Sequence, residues 1–395
     1  MKERVTVITP AQAREALRIV LDPEIGRPIE DLGMLADVQV SPQGDVDVHV
    51  LLTIAGCPLK DRLERDVTAA LEPLEGVRGV RVSLSPMSEE QRQQLVASLR
   101  GQGGNGHDAH AGHDHGGHGA PQAAPTFFTD GATQVIAVAS GKGGVGKSSV
   151  TANLAVALGA EGHRVGVLDA DVWGFSIPRM MGAAGQPVAF NNMMLPLEAH
   201  GVKVISMGFF VDDETPVIWR GPMLHKAIQQ FLGDVYWGDL DFLLVDLPPG
   251  TGDVSLSLAM MIPQGSMLVV TTPQDAARKV AERAGRMAQH PNINLDMVGV
   301  VENMSGFVCP HCDEITEVFG TGGGAQTARA LGTDLLGQVP MQVSLREGSD
   351  TGTPVVVSEP ESPAGAAFRR IAAEVLARKP KRSLVGKPLG LTVAR

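Results

Sequence analysis

Residues 141–149 read Gly-Lys-Gly-Gly-Val-Gly-Lys-Ser-Ser, a complete G-x-x-x-x-G-K-S phosphate loop running from Gly141 to Ser148. Such a loop works in one setting only: a strand before it, a helix after it, and an anion on the helix N-terminus. Both flanks fit. Gln134–Ser140 has the composition of a short buried strand, and Val150, Leu154, Ala157 and Leu158 recur at helical spacing after Lys147. The glycines Gly141, Gly143, Gly144 and Gly146, with Val145 between them, let backbone N–H groups turn inward around phosphate oxygens. Lys147 brings a charge to the β/γ-phosphates. The hydroxyl of Ser148 can ligate Mg²⁺, and Ser149 continues the loop into the helix.

Lys142 is the second lysine of the loop. Backbone N–H groups already cradle the phosphate, so a further cation is best explained by reach toward the nucleotide of a facing subunit. In this the Lys-Gly-Gly-Val-Gly-Lys-Ser stretch resembles the deviant Walker A family, in which the early lysine crosses a nucleotide-sandwich dimer. That family includes nitrogenase iron protein, the septum-site and partition ATPases, and iron–sulfur cluster carriers.

Apolar strand candidates alternate with helical segments from about residue 130 to 380: Val135–Ala139, Arg164–Asp169, Phe242–Asp246, Met267–Thr271, Met297–Val301 and Leu336–Val339. The alternation predicts an α/β fold, a doubly wound, mainly parallel sheet with the nucleotide at the carboxyl ends of its strands. Two carboxylates, Asp169 and Asp171, close one strand and can hold Mg²⁺ through water or position the attacking water. Asp246 closes another apolar strand and looks like a Walker B acid, a Mg²⁺ ligand directly or through water. Leu247-Pro-Pro-Gly-Thr-Gly252 follows it as a glycine-hinged segment able to respond to a γ-phosphate. The chain has no Asn-Lys-x-Asp guanine motif, so the expected base is adenine.

Before this domain, residues 1–98 read as a small α+β domain of helix, two strands, helix and strand. Thr9-Pro10-Ala11-Gln12 carries a capping-box helix start. Val46, Val48 and Val50 alternate with polar residues, as do Val80, Val82 and Leu84. Residues 99–127 are Gly-, Ala- and His-rich, without periodicity, and predict a flexible linker. Its histidines (His107, His110, His113, His115, His118) read as a solvated spacer or a weak metal-binding tract. The main domain is expected over 128–380, and 381–395 as a flexible tail.

Net charge is −11, which argues against nucleic acid as a partner. No apolar run is long enough to span a bilayer, and the N-terminus lacks a signal-peptide core. Three cysteines in 395 residues suit functional thiols in the cytoplasm rather than a disulfide scaffold. Cys309-Pro-His-Cys312 is a C-x-x-C, a spacing shared by redox pairs, zinc half-sites and cluster half-sites. Zinc and a [4Fe–4S] cluster each want four ligands. A twofold dimer supplies four thiolates from two chains, which agrees with the facing arrangement inferred from Lys142. A labile shared cluster is therefore favoured over zinc or thiol redox chemistry. Cys57 precedes Pro58 at a helix start, where it is either a reactive thiol or a small buried residue.

Taken with the loop, four further stretches resemble the Mrp/ApbC-type iron–sulfur cluster carriers. They are Leu168-Asp-Ala-Asp-Val-Trp-Gly-Phe-Ser-Ile-Pro178, Val245–Asp253, Glu302–Cys312 and Ser344–Pro354. The segments Asp22-Pro23-Glu24, Asp31-Leu32-Gly33 and Gly56-Cys57-Pro58 resemble the small domain of iron–sulfur assembly factors. Phe175 stands where that family commonly has proline. The resemblance implies Asn303 as an adenine contact. It also implies a homodimeric ATPase that holds a [4Fe–4S] cluster on Cys309 and Cys312. The cluster would come from an upstream scaffold and go to apo-protein clients, with Lys142, Lys147, Asp171 and Asp246 assisting hydrolysis. Two rival readings are a spatial-positioning ATPase on membrane or nucleoid and an electron-transfer reductase. The prolines and glycines of Lys379–Arg395 oppose the amphipathic helix that the first would need, and a C-x-x-C rather than widely separated cysteines disfavours the second.

Overall fold

The computed structural model describes residues 8–23, 25–53, 60–102, 126–172, 174–190, 193–210, 221–250, 252–290, 293 and 295–378. Cys57, the linker histidines and the tail Lys379–Arg395 lie outside these residues. The chain divides into two compact units, Met1–Asp108 with Ala189–Leu195, and Ala109–Val188 with Pro196–Arg395.

In the first unit the order is α1 (Pro10–Leu17), β1 (Leu35–Val40), β2 (Asp45–Leu52), α2 (Lys60–Leu71), β3 (Gly79–Pro86) and α3 (Glu89–Gln102). The helix start at Thr9 forms as its residues dictate. The Thr9 hydroxyl accepts from the Gln12 N–H at 3.3 Å, and the Gln12 side-chain oxygen accepts from the Thr9 N–H at 2.9 Å. Strand β2 lies between β1, antiparallel to it, and β3, parallel to it. Its alternation becomes burial: Val46, Val48 and Val50 are inside and Asp45 and Asp47 outside. Helix α3 continues past residue 98 to Gln102.

In the second unit β4 (Gln134–Ser140), α4 (Lys147–Ala160) and β5 (Val165–Asp169) come first, then the short helix α5 (Ile177–Met180). Strands β6 (Val188–Phe190) and β7 (Met193–Leu195), which apart from Val188 are assigned to the first unit, form a separate ribbon. They are followed by β8 (Leu197–Ala199), β9 (Val202–Ser206), α6 (Gly221–Gly233), β10 (Phe242–Asp246) and α7 (Asp253–Met261). The chain continues through β11 (Ser266–Thr271), α8 (Asp275–Ala288), β12 (Asp296–Val308), β13 (Ile315–Thr316) and α9 (Gly323–Leu331). It ends on β14 (Leu335–Met341), α10 (Val343–Thr351), α11 (Val355–Ser358) and α12 (Pro363–Ala377).

The main sheet runs β13-β12-β11-β4-β10-β5-β9-β8, with β14 on the other edge of β12. Its pairings are parallel except at β8 and β13. Strands β4, β5, β10 and β11 are buried at every position, as expected for parallel strands covered on both faces. The winding reverses beside β4: β5 and β9 lie to one side, β11 and β12 to the other. The carboxyl end of β4, where the phosphate loop begins, is therefore at the crevice where ligands of such sheets bind.

Two elements differ from expectation. The apolar spacing in α4 predicts one buried face, but residues Val150 to Leu158 are all buried. The helix is enclosed by the sheet, α11 and α12, so it is buried all round, with its polar Thr151 and Asn153 hydrogen-bonded. Strand β12 runs seven residues beyond the expected Val301, to Val308, because β14 and then β13 extend its ladder. Phe368 in α12 is fully buried against this core. Phe368→Ala should lower stability by about 3–5 kcal/mol, read as a shift of the urea unfolding midpoint of the full chain.

Candidate functional site

The phosphate loop is held open by backbone geometry. Gly146 has φ +80° and caps α4, a conformation that favours glycine. A Cβ there would lie 2.1 Å from the Asn303 amide nitrogen, and one on Gly141 would lie 2.2 Å from the backbone of Val280 in α8. Both glycines are thus required by what presses on the loop from behind. In front is a cleft of about 510 Å³ lined by residues 142–149 with Ser140, Asp171, Ser176, Met180, Pro248 and Pro249. Its volume falls in the range of small-molecule sites.

Behind this lining Asp246 is completely buried at the end of β10. One of its oxygens accepts from Lys147 Nζ at 2.6 Å and from Ser148 Oγ at 2.6 Å; the other accepts from Thr151 Oγ1 at 2.6 Å. Lys147 is only 6% exposed and lies 3.9 Å from Asp171. A buried lysine facing two carboxylates satisfies the rule that buried charges are paired. The hard oxygens of Ser148 and Asp246, side by side at the loop, fit a Mg²⁺ ion.

Asp169 sits deeper. It does not line the cleft, and its oxygens accept from Ser206 Oγ and from the N–H groups of Asp171 and Ile177. Burial, then the neighbouring charge of Asp246, pushes its carboxyl up to about 8. Asn303 also lies outside the lining. It is 5% exposed and donates from Nδ2 to the Val145 carbonyl at 2.9 Å, beneath the loop. Lys142 lines the cleft, and its ammonium reaches Gln274 Oε1 at 3.3 Å, at the N-terminus of α8. Thr151 and Gln274 are partners that the motif reading does not name. A hydroxyl residue one turn after Lys147, beside the apolar Val150 and Leu154, is the available signal for the first.

The thiol pair occupies a turn between β12 and β13. The Cys309 N–H donates to Glu314 O, the Asp313 N–H donates back to Cys309 O, both at 3.0 Å, and Asp313 has φ +57°. Cys309 is half-buried and Cys312 exposed, both unbridged. The N–H groups of His311 and Cys312, then the Cys312 thiol, draw the Cys309 thiol below its ordinary range. Phe307 pairs with β14 on one side and β13 on the other, which puts β13 on the β11 side of β12. The turn therefore projects from the same carboxyl edge of the sheet as the phosphate loop.

Fold and loop together define a P-loop NTPase of the two-lysine type. The family model for the NUBPL iron-transfer P-loop NTPase matches residues 131–376, and a model for an iron–sulfur cluster assembly protein matches residues 10–84. An iron–sulfur cluster carrier protein of Mycobacterium leprae is 50% identical over 386 residues, 96% of this chain and 95% of that one. One from Synechocystis is 38% identical over 96% of this chain and all of its own length. Among solved structures, a nucleotide-binding protein of Archaeoglobus fulgidus in complex with ADP is similar at 38% identity and a TM-score of 0.51. It covers 60% of this chain and 91% of that one. The chain belongs to the iron–sulfur cluster carrier family of P-loop NTPases.

Asp169 supplies a pH test. Its folded value lies above its unfolded value of 3.8, so folding retains a proton that the unfolded chain gives up. Its contribution is complete below the unfolded value and is lost as pH rises toward about 8. Asp169→Asn should remove this slope. In nucleotide-free urea unfolding, the deficit of the variant against the parent should shrink between pH 5 and pH 8.

Proposed function

We propose that this chain is an ATP-dependent iron–sulfur cluster carrier. It works as a homodimer in which facing Cys309–Cys312 turns hold a labile [4Fe–4S] cluster for transfer to apo-proteins. The observation that carries this is stoichiometric. A [4Fe–4S] cluster wants four thiolates, and the chain has three cysteines in all. Its one close pair sits exposed on the sheet edge that carries the phosphate loop. Two copies related by a twofold axis supply the missing ligands. The names borne by the full-length relatives and the ADP bound in the archaeal protein point the same way.

In this reading the N–H groups of Gly143–Lys147 and the Lys147 ammonium bind the β- and γ-phosphates of ATP. Mg²⁺ would be held by Ser148 and Asp246, directly or through water, and would neutralise phosphate charge. Asp171, at the cleft wall, orients the attacking water. Asp169, with its oxygens occupied, acts by positioning the strand end that carries Asp171. Lys142 leaves Gln274 to reach the nucleotide of the facing copy, so hydrolysis requires the closed dimer. Upstream, a scaffold supplies the cluster. The cytoplasm is the compartment that keeps an exposed thiol pair reduced. Among the described residues no helix is long and apolar enough to cross a membrane.

Anaerobic reconstitution of the full chain should give broad absorbance near 400 nm, with about four irons and four sulfides per dimer. The double variant Cys309→Ala, Cys312→Ala should lose both; retention of the cluster overturns the assignment. Lys142→Ala should still bind ATP yet hydrolyse it about 10²–10³-fold more slowly, measured as phosphate release at saturating Mg-ATP.

A further inference from the structure

Strand β12 touches both halves of the proposed machine. Near its middle, Asn303 donates to the Val145 carbonyl inside the phosphate loop at 2.9 Å. At its end the chain passes from Val308 into Cys309. The contact to the loop is specific. Val145 C=O and Gly146 N–H belong to one planar trans peptide and point in opposite directions. Gly146 lines the cleft, so a phosphate that draws its N–H forward turns the Val145 carbonyl back onto Asn303. Gly146 has no room for a side chain on this side, since its Cβ would sit 2.1 Å from Asn303 Nδ2 and 3.9 Å from Met304 Cε.

The strand is regularly paired on one side of that contact and irregular on the other. Just before Asn303, buried Glu302 accepts from the Gly324 N–H at the start of α9 and from Gln338 of β14. Those bonds clamp the strand between two elements. Just after Asn303, Met304 has φ +58°, uncommon for a residue with a side chain. The register with β14 then breaks between Asn303 and Phe307. The stretch Met304 to Gly306 thus lies outside regular pairing with β14, fixed behind at Glu302 and joined in front to the paired residues Phe307 and Val308 that lead into the cysteine turn. The turn itself is tied to the strand through only two registered pairs, Phe307 with Thr316 and Val308 with Ile315.

We propose that Asn303 and the irregular stretch of β12 after it couple the two sites. The side chain reads the orientation of the Val145–Gly146 peptide, and the strand carries the change to the Cys309–Cys312 turn. Asn303 is thereby a positioning residue for the cargo thiols. This rests on the proposed carrier reading, but its test does not require a cluster.

The test uses the cluster-free, reduced full chain. The rate of alkylation of Cys309 and Cys312 by iodoacetamide is followed by peptide mass spectrometry, with and without saturating Mg-ATP. In the parent protein nucleotide should change the rate about fivefold or more. In Asn303→Leu, which keeps about the size but loses the amide donor, and in Asn303→Ala, the two rates should converge at nucleotide concentrations raised to saturate each variant. Hydrogen exchange on the unaltered protein gives a second reading that needs no variant. Mg-ATP should change protection across residues 303–312 together with the loop. The proposal is overturned if the variants keep the nucleotide-dependent rate. It is equally overturned if the loop amides respond to nucleotide while 303–312 do not. Variants that lose affinity for ATP but not for a base-modified triphosphate, with thiol coupling intact, would instead make Asn303 a base contact, which also overturns it. The carrier reading fails separately, through cluster retention in the double cysteine variant.

Discussion

One fully buried carboxylate, Asp246, organises the nucleotide end of this molecule. A lone charge at the end of a parallel strand would be unstable there, since burial strips it of water. Lys147, Ser148 and Thr151, all from the first turns of α4, satisfy it. The strand end and the helix start are therefore fastened to each other through the very groups that a nucleotide and its metal would engage. Removing either partner of such a buried pair costs about 3–5 kcal/mol, so in the free chain the ion pair belongs to the fold as much as to the chemistry. In the proposed reading, nucleotide binding reroutes Lys147 from carboxylate to phosphate rather than bringing in a new charge.

The rest of the site follows from topology. Winding reverses beside β4, so β4, β5, β10 and β12 all discharge their functional residues at one edge. That edge receives the glycine loop, Asp171, Asp246 and the thiol turn from segments spread between residues 141 and 312. Two carboxylates at one strand end sit in different environments. Asp171 faces the cleft near Lys147, whereas Asp169 is sealed behind it with three local donors.

Much of this was legible in the residues. The phosphate loop, the Asp246 strand, the capping box at Thr9 and the alternation of Val46, Val48 and Val50 each follow from local rules, and local rules act within a few residues. What lay beyond them depended on contacts between distant segments. The full burial of α4 needs α12 to cover its outer face, and α12 is two hundred residues away. The extension of β12 needs β14 and β13. Strand β9, whose apolar residues are interrupted by Lys203 and end on Ser206, does not stand out until β5 pairs with it. Asn303 is the sharpest case. Family likeness directs attention to it as an adenine contact; the structure adds a bond from its amide to the Val145 carbonyl beneath the loop, a placement set by the close approach of Gly146 that no linear pattern encodes.

The thiol turn hangs from the sheet by a strand of two residues. Segments with so little pairing open far more readily than the core beside them. Two backbone bonds from Cys309 to residues 313 and 314 close the turn, and a ligand shared by both thiols would add a crosslink to them. A cargo that crosslinks the turn would also be what freezes it, and handing that cargo on would return the turn to softness without disturbing the layers beneath.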